Sequence, residues 1–322
     1  MKRSILWVLV LGALIAACRP ASREAVVTAE PLAVAATATQ AATATRQVAT
    51  PRPTATVDPN LTPTWTPVPS DEEGLRALAD ERDILIGSAV RADELFGDPE
   101  YMQTVADEFN LIVVEWELNF LPVNPQPGQY NFSRADPVFD FAEANGLKIH
   151  ANTLLWYRQV PEWFANGDYS RDEAIEIMGQ HITALMSRYK GRAYAWDVVN
   201  EAFTDGGELR DSVWLEKIGP EYIEMAFEIA HEVDPDALLF YNDYGAEMPN
   251  AKSDAIYEMV ADFRARGVPI DGVGFQFHGG LDNRRAPGEI RENFERFGEL
   301  GLKVYISEMD VGIRKAIGTE QQ

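Results

Sequence analysis

The chain has 322 residues and a formal net charge of −23, from 28 Lys and Arg against 51 Asp and Glu. That balance argues against nucleic acid and anionic membrane surfaces as partners, and suits a neutral ligand. With 1 cysteine there is no intrachain disulfide, so any folded domain must rest on its hydrophobic core.

The chain opens like an export signal. Lys2 and Arg3 precede an apolar run over residues 5–17, well short of the roughly 20 residues that a membrane-spanning helix needs. Ile15-Ala16-Ala17-Cys18 resembles a bacterial lipobox, which implies a signal peptide over residues 1–18 and a lipid anchor on Cys18. The sole cysteine sits at the position where lipidation requires one. The expected location is therefore outside the cytoplasm, as a cell-surface lipoprotein or a secreted protein. Residues 19–70 are rich in Ala, Thr and Pro and hold few large apolar side chains to offset the entropy of folding. They read as a disordered linker holding the next domain off the membrane.

From residue 71 to 322 short apolar runs alternate with amphipathic stretches. Strands are predicted over residues 84–90, 111–115, 148–154, 194–200, 237–242, 272–277 and 303–308. Helices are predicted over 99–109, 135–145, 172–189, 221–232, 253–266 and 289–300. Gly146, Gly267 and Gly301 each stand at a helical stop. Strand then helix, repeated, implies parallel strands joined by crossover helices, and hence an α/β fold of the (β/α)8 TIM-barrel type. No eighth strand follows residue 308, so the barrel is expected to lack its last strand in this chain.

Polar residues gather where the strands stop. They are Glu115, then Asn152 and Trp156, then Asn200 and Glu201, then Asn242, Asp243 and Tyr244, then Gln276 and His278, and finally Glu308 and Asp310. In a barrel these ends share one rim, so the residues converge on one cleft. Two carboxylates at opposed strand ends, with amides and aromatics around them, fit glycoside hydrolysis: one protonates the leaving oxygen and the other attacks the sugar carbon. Trp156, Trp163 and Tyr244 are candidates to stack on sugar rings, with core packing as the alternative.

The segment from about residue 83 to 311 resembles glycoside hydrolase family 10, whose best-known members are endo-β-1,4-xylanases. Trp196-Asp197-Val198-Val199-Asn200-Glu201 is similar to the family's acid/base signature, and Tyr305-Ile306-Ser307-Glu308-Met309-Asp310 to its nucleophile segment. Gly272-Val273-Gly274-Phe275-Gln276-Phe277-His278, Tyr241-Asn242-Asp243-Tyr244 and the loop Pro125-Gln126-Pro127-Gly128-Gln129-Tyr130-Asn131-Phe132 also match family segments, in family order. The resemblance implies Glu201 as general acid/base and Glu308 as nucleophile of a retaining double displacement. Asn200, Gln276, His278 and Asp310 would support them, with no metal or organic cofactor. Substrate contacts are expected from Glu115, Asn119, Asn152, Trp156 and Tyr244. The implied partner is a plant-type β-1,4-linked polysaccharide, xylan first, and a monomer is expected.

Departures from the family pattern cluster at the sugar site. In Glu115-Trp116-Glu117-Leu118-Asn119-Phe120, Trp116 stands for Asn, Asn119 for Lys and Phe120 for Trp. Asn152 and Tyr157 stand where the family has His. Different donors should prefer a different hydroxyl pattern. A surface-tethered carbohydrate-binding protein with weak or no catalysis is the alternative that these changes leave open.

Overall fold

The computed structural model describes residues 74–280 and 286–312. The signal peptide with Cys18, and the linker over 19–70, lie outside the described residues.

Elements follow one another as the alternating pattern requires. Helix α1 (Leu75–Asp80) leads into β1 (Gly87–Val90), α2 (Ala92–Gly97), α3 (Pro99–Glu108), β2 (Leu111–Val114), α4 (Phe120–Val123) and α5 (Ala135–Ala144). Then come β3 (Lys148–Trp156), α6 (Glu162–Ala165), α7 (Arg171–Arg188), β4 (Ala195–Asn200), α8 (Val213–Ile218), α9 (Tyr222–Val233), β5 (Leu238–Asp243) and α10 (Ala251–Arg266). The last are β6 (Gly272–Phe275), β7 (His278–Gly280), α11 (Pro287–Glu299), β8 (Lys303–Ile306) and β9 (Asp310–Gly312).

Helix starts are set locally. Asp98 caps α3 by accepting the Glu100 and Tyr101 N–H groups, with Pro99 in the first turn where its missing N–H costs nothing. Ser170 and Glu173 form a reciprocal capping box on α7. Asn250 caps α10, which stops at Gly267 in the left-handed conformation.

Seven strands form one parallel sheet in the order β1-β2-β3-β4-β5-β6-β8. β2, β4 and β6 are buried along their whole length, as strands covered on both faces must be. The interior is filled rather than hollow. The rings of His150, Phe240 and Tyr305 meet there, with Tyr305 stacked on His150 at 4.7 Å. The outer layer closes on α7 and α9, whose buried faces include Met178, Leu185, Ile223 and Phe227. His181 on α7 is held down to about 4 by burial, so its neutral ring donates from Nε2 to the Leu154 carbonyl at 3.0 Å.

The fold is thus of the (β/α)8 barrel type, with seven strands of the parallel sheet among the described residues. Among the described residues β1 and β8 each have a single sheet neighbour, and their residues are correspondingly mixed in exposure. Ile306 on β8 is 45% exposed.

Strand ends differ in detail from expectation. The third strand runs on to Trp156. Residues 84–86 are not sheet, because the Ile86 N–H is taken by Asn110 Oδ1. The sixth and seventh barrel strands stop at Phe275 and Ile306. Phe277, at φ 63°, turns the chain out of the sheet, and β7 and β9 then pair with each other as a separate parallel ladder.

Gly272 is fixed by close approach. A Cβ there would stand 2.5 Å from the Lys303 carbonyl oxygen and 2.4 Å from the Phe240 ring. Since one of the two obstacles is backbone of the paired strand, Gly272→Ala is expected to destabilise the protein by about 1–3 kcal/mol. An unchanged urea midpoint would show that the strands can separate without penalty.

Candidate active site

The parallel register sets one row of residues across the C-terminal end of the sheet. Trp156 pairs with Asn200, Asn200 with Asn242, Asn242 with Gly274, and Gly274 with Tyr305. Register shifts in β3 and β4, between Asn152 and Leu155 and between Asp197 and Val199, bring these ends level. Such bulges re-aim side chains next to sites. Gly274 is the gap in the row: a Cβ there would lie 2.4 Å from Asn242 Oδ1.

Side-chain amides bind this row together. Asn200 Oδ1 accepts from Asn242 Nδ2 at 3.1 Å and from Gln276 Nε2 at 3.2 Å. Gln276 Nε2 also donates to Glu201 Oε1 at 2.9 Å, and Asn242 Nδ2 to Glu308 Oε1 at 2.9 Å. Ser307 Oγ donates to Asn242 Oδ1 at 2.7 Å, which fixes which end of that amide is the donor. The result is an unbroken chain Glu201–Gln276–Asn200–Asn242–Glu308 built from four different strand ends. Because Asn200 Oδ1 accepts twice, its Nδ2 is the end left to donate elsewhere.

Glu201 is 8% exposed and takes φ 58°, a conformation that a non-glycine residue seldom adopts. Its backbone is held on both sides. The Glu201 N–H donates to the Asn242 carbonyl at 2.9 Å, and its own carbonyl accepts from Arg210 Nε at 3.1 Å. Strain of this kind persists only where surrounding contacts over-determine it, and it clusters at functional sites.

Glu308 sits in a different electrostatic setting. His278 Nε2 lies 3.3 Å from Glu308 Oε2, and His278 Nδ1 lies 2.8 Å from Asp310 Oδ2. Its bond to Glu308, with help from Asp310 and against partial burial, lifts His278 to about 9. The imidazole is therefore positive at neutral pH. The Gly279 N–H donates to Asp310 Oδ1 at 3.2 Å and seats that carboxylate.

Other predicted residues are placed unevenly. Glu115 stands just beyond β2, its carboxyl raised by burial first and by the charges of Glu308 and Glu117, against Arg91. Trp156 is half-buried at the end of β3. The Tyr244 hydroxyl accepts from Arg210 at 2.9 Å. Asn119 does not face a cleft. It is 2% exposed, and its Nδ2 turns back to the Trp116 carbonyl at 3.2 Å. Asn152 points down into the barrel, where its Nδ2 donates to Asp197 Oδ2 at 2.8 Å, beside His150 Nε2 at 2.8 Å from Oδ1. The Nδ2 groups of both amides are thus turned to protein acceptors rather than to a ligand. Trp163 is packed edge-on against Phe120 and donates to the Asn124 carbonyl, so core packing takes it.

Asn242, one of the strand-end residues, joins the two halves of the amide chain, and Ser307, which a reading of the residues one at a time misses, orients it. Glu247, 2% exposed, accepts the Phe277 N–H at 2.8 Å and so braces the turn behind Gln276. Adjacency to Glu308 marks Ser307; Glu247 carries no such signal. The arrangement offers two carboxyl groups on one hydrogen-bonded frame, one among neutral donors and one beside a cation. Pairs of carboxyl groups in unlike surroundings are what acid and nucleophile roles require of a glycosidase in general.

The family model described as glycosyl hydrolase family 10 matches residues 74–322. The chain is similar to endo-1,4-beta-xylanase B from Thermotoga neapolitana, 42% identical over 247 residues that span 76% of this chain and 70% of that protein. It is 36% identical over 247 residues to endo-1,4-beta-xylanase A from Thermoanaerobacterium saccharolyticum, spanning 73% of this chain but 21% of that protein. Among solved structures, xylanase 10B from Thermotoga petrophila in complex with xylobiose aligns with TM-score 0.74 at 40% identity, covering 79% of this chain and 77% of that chain.

His278 carries a sign-definite pH effect. Its folded pKa, about 9, lies above the ordinary 6.5, so the stabilisation it supplies is complete below pH 6.5 and is lost as pH rises through about 9. The melting-temperature gap between the parent and His278→Asn is expected to be widest near pH 6 and to narrow by pH 10. A gap that stays constant over that range would rule out a charged His278.

Proposed function

The chain belongs to glycosyl hydrolase family 10 and is a glycoside hydrolase, and on that footing we propose that it cleaves the β-1,4 bonds of xylan by double displacement with retention of configuration. The observation that carries the reading is the single amide chain joining Glu201 to Glu308. Glu308 is the nucleophile. Attack needs a charged carboxylate, and the imidazolium of His278 is the counter-charge beside it.

Glu201 first protonates the leaving oxygen. Its neighbour Gln276 is neutral and donates to only one of its two oxygens. Formation of the glycosyl-enzyme consumes the charge of Glu308, after which Glu201 takes a proton from water as the base of the second step. Asn200 Nδ2, the end of the amide not used within the frame, is the donor for the sugar 2-hydroxyl, a bond that strengthens toward the transition state. The chain's own groups supply every proton transfer in this scheme.

Xylan as substrate draws its support from the xylanases that the chain resembles and from the xylobiose bound to one of them. Of the departures from the family pattern, Trp116 and Tyr157 are the ones left to alter the preference among glycans, since Asn119 and Asn152 are turned to protein acceptors. Reducing-sugar release from a panel of xylans and β-glucans is expected to be greatest on xylan, and to fall roughly 10³-fold or more in Glu308→Gln. No release from any glycan, or undiminished release by the variant, would sink the reading.

We also propose that the protein is exported and tethered by a lipid on Cys18, through the linker over residues 19–70. In a bacterial host fed labelled palmitate, the parent is expected to carry label in the membrane fraction and Cys18→Ala to lose it. Label retained by the variant counts against the anchor.

A further inference from the structure

Behind Glu201 lies a buried ion pair that the reaction scheme does not use. Lys252 on α10 is 1% exposed. Its Nζ lies 2.7 Å from Asp243 Oδ1, 3.6 Å from Asp205 Oδ1 and 3.4 Å from the centroid of the Tyr244 ring. Asp243, at the end of β5, is fully buried. Its Oδ1 also accepts the Tyr244 N–H at 2.9 Å, and its Oδ2 accepts the Tyr241 hydroxyl at 2.5 Å. The Tyr241 oxygen in turn accepts the Ala202 N–H at 3.0 Å.

Ala202 N–H and Glu201 C=O belong to one peptide plane. That plane is gripped from both sides, by Tyr241 at the N–H and by Arg210 at the carbonyl. The grip falls next to the left-handed φ of Glu201, the torsion that a free chain would relax toward extended backbone. Direction matters at Tyr241. Because its proton is given to Asp243, its lone pairs are turned to the Ala202 N–H. A neutral amide at 243 would offer a donor as readily as an acceptor.

A buried ion pair of this sort is a weak source of stability, since desolvation offsets its attraction. Burial outweighs Lys252 and lifts Asp243 to about 6. Such a pair is better explained by what it orients than by what it stabilises.

We propose that Lys252 and Asp243 are positioning residues for the hydrolytic reaction: acting through Tyr241, they hold the Glu201–Ala202 peptide and so aim the Glu201 carboxyl group at the leaving oxygen. The inference rests on the reading of Glu201 as acid/base given above. Neither residue touches the substrate in this account. Their effect passes through the backbone, so it falls on proton donation and spares the attack by Glu308.

Leaving-group chemistry separates those two steps. A xylo-oligosaccharide needs its departing oxygen protonated, whereas 2,4-dinitrophenolate leaves without help. In the full chain, Lys252→Met and Tyr241→Phe are each expected to lower kcat/KM on the oligosaccharide about tenfold or more. The same variants should change kcat/KM on the 2,4-dinitrophenyl β-glycoside by less than about threefold. Tyr241→Phe keeps the ring and removes only the hydroxyl, so it carries the comparison should Lys252→Met fail to fold. Equal losses on both substrates, or no loss on either, would overturn the inference. A parent protein that cleaves neither substrate would instead overturn the assignment of function on which the inference rests.

Discussion

The site depends on the register of β3, β4, β5, β6 and β8. Parallel strands held in that register put Trp156, Asn200, Asn242, Gly274 and Tyr305 in one row. The two carboxylates then follow, one residue past the row on β4 and three past it beyond β8. A slip of one residue in any strand would turn its side chains to the opposite face. It would remove Asn200 from between Gln276 and Asn242 and break the frame at its centre. The glycines at 272 and 274 belong to the same constraint, because the sheet closes on them more tightly than a methyl group allows.

Upon that row the protein builds two unlike surroundings for two like side chains. Glu201 is nearly buried, held through its backbone and touched by an amide. Glu308 is touched by an amide and a cationic imidazole that a second carboxylate seats from behind. One frame therefore gives the two carboxyl groups unlike surroundings with neighbouring residues alone. The cations that matter are few in a chain of net charge −23. His278 faces Glu308, while Arg210 and Lys252 work behind Glu201. Their value lies in which carboxyl or carbonyl group each one faces rather than in the total charge.

Much of the barrel was legible along the chain. Apolar runs of strand length, the helices between them and glycines at helix stops reflect local physics, and β2, β4 and β6 are buried where those runs predict. Glu201, Asn200, Gln276, His278, Glu308 and Asp310 were legible as polar residues at strand ends, and they do meet at one rim. The inward turn of Asn119, at the start of α4, and of Asn152, within β3, was not legible, because a side-chain amide can equally face a ligand or bond to its own scaffold. Distance to the nearest protein acceptor decides between the two, and distance is a tertiary quantity.

By itself the sequence determined the alternation of strands and helices, the family resemblance and the residue types gathered at the strand ends, since each follows from short-range patterning. Only the tertiary structure decided that Asn242 and Ser307 complete the frame and that Phe277 ends the sixth strand. The same holds for the left-handed backbone of Glu201, gripped from both sides, and for the buried ion pair that stands behind it. Several of those features depend on contacts between residues far apart in the chain, such as Asn242 with Glu308 at a separation of 66, and no local pattern records which of two distant polar groups will be within 3 Å of the other.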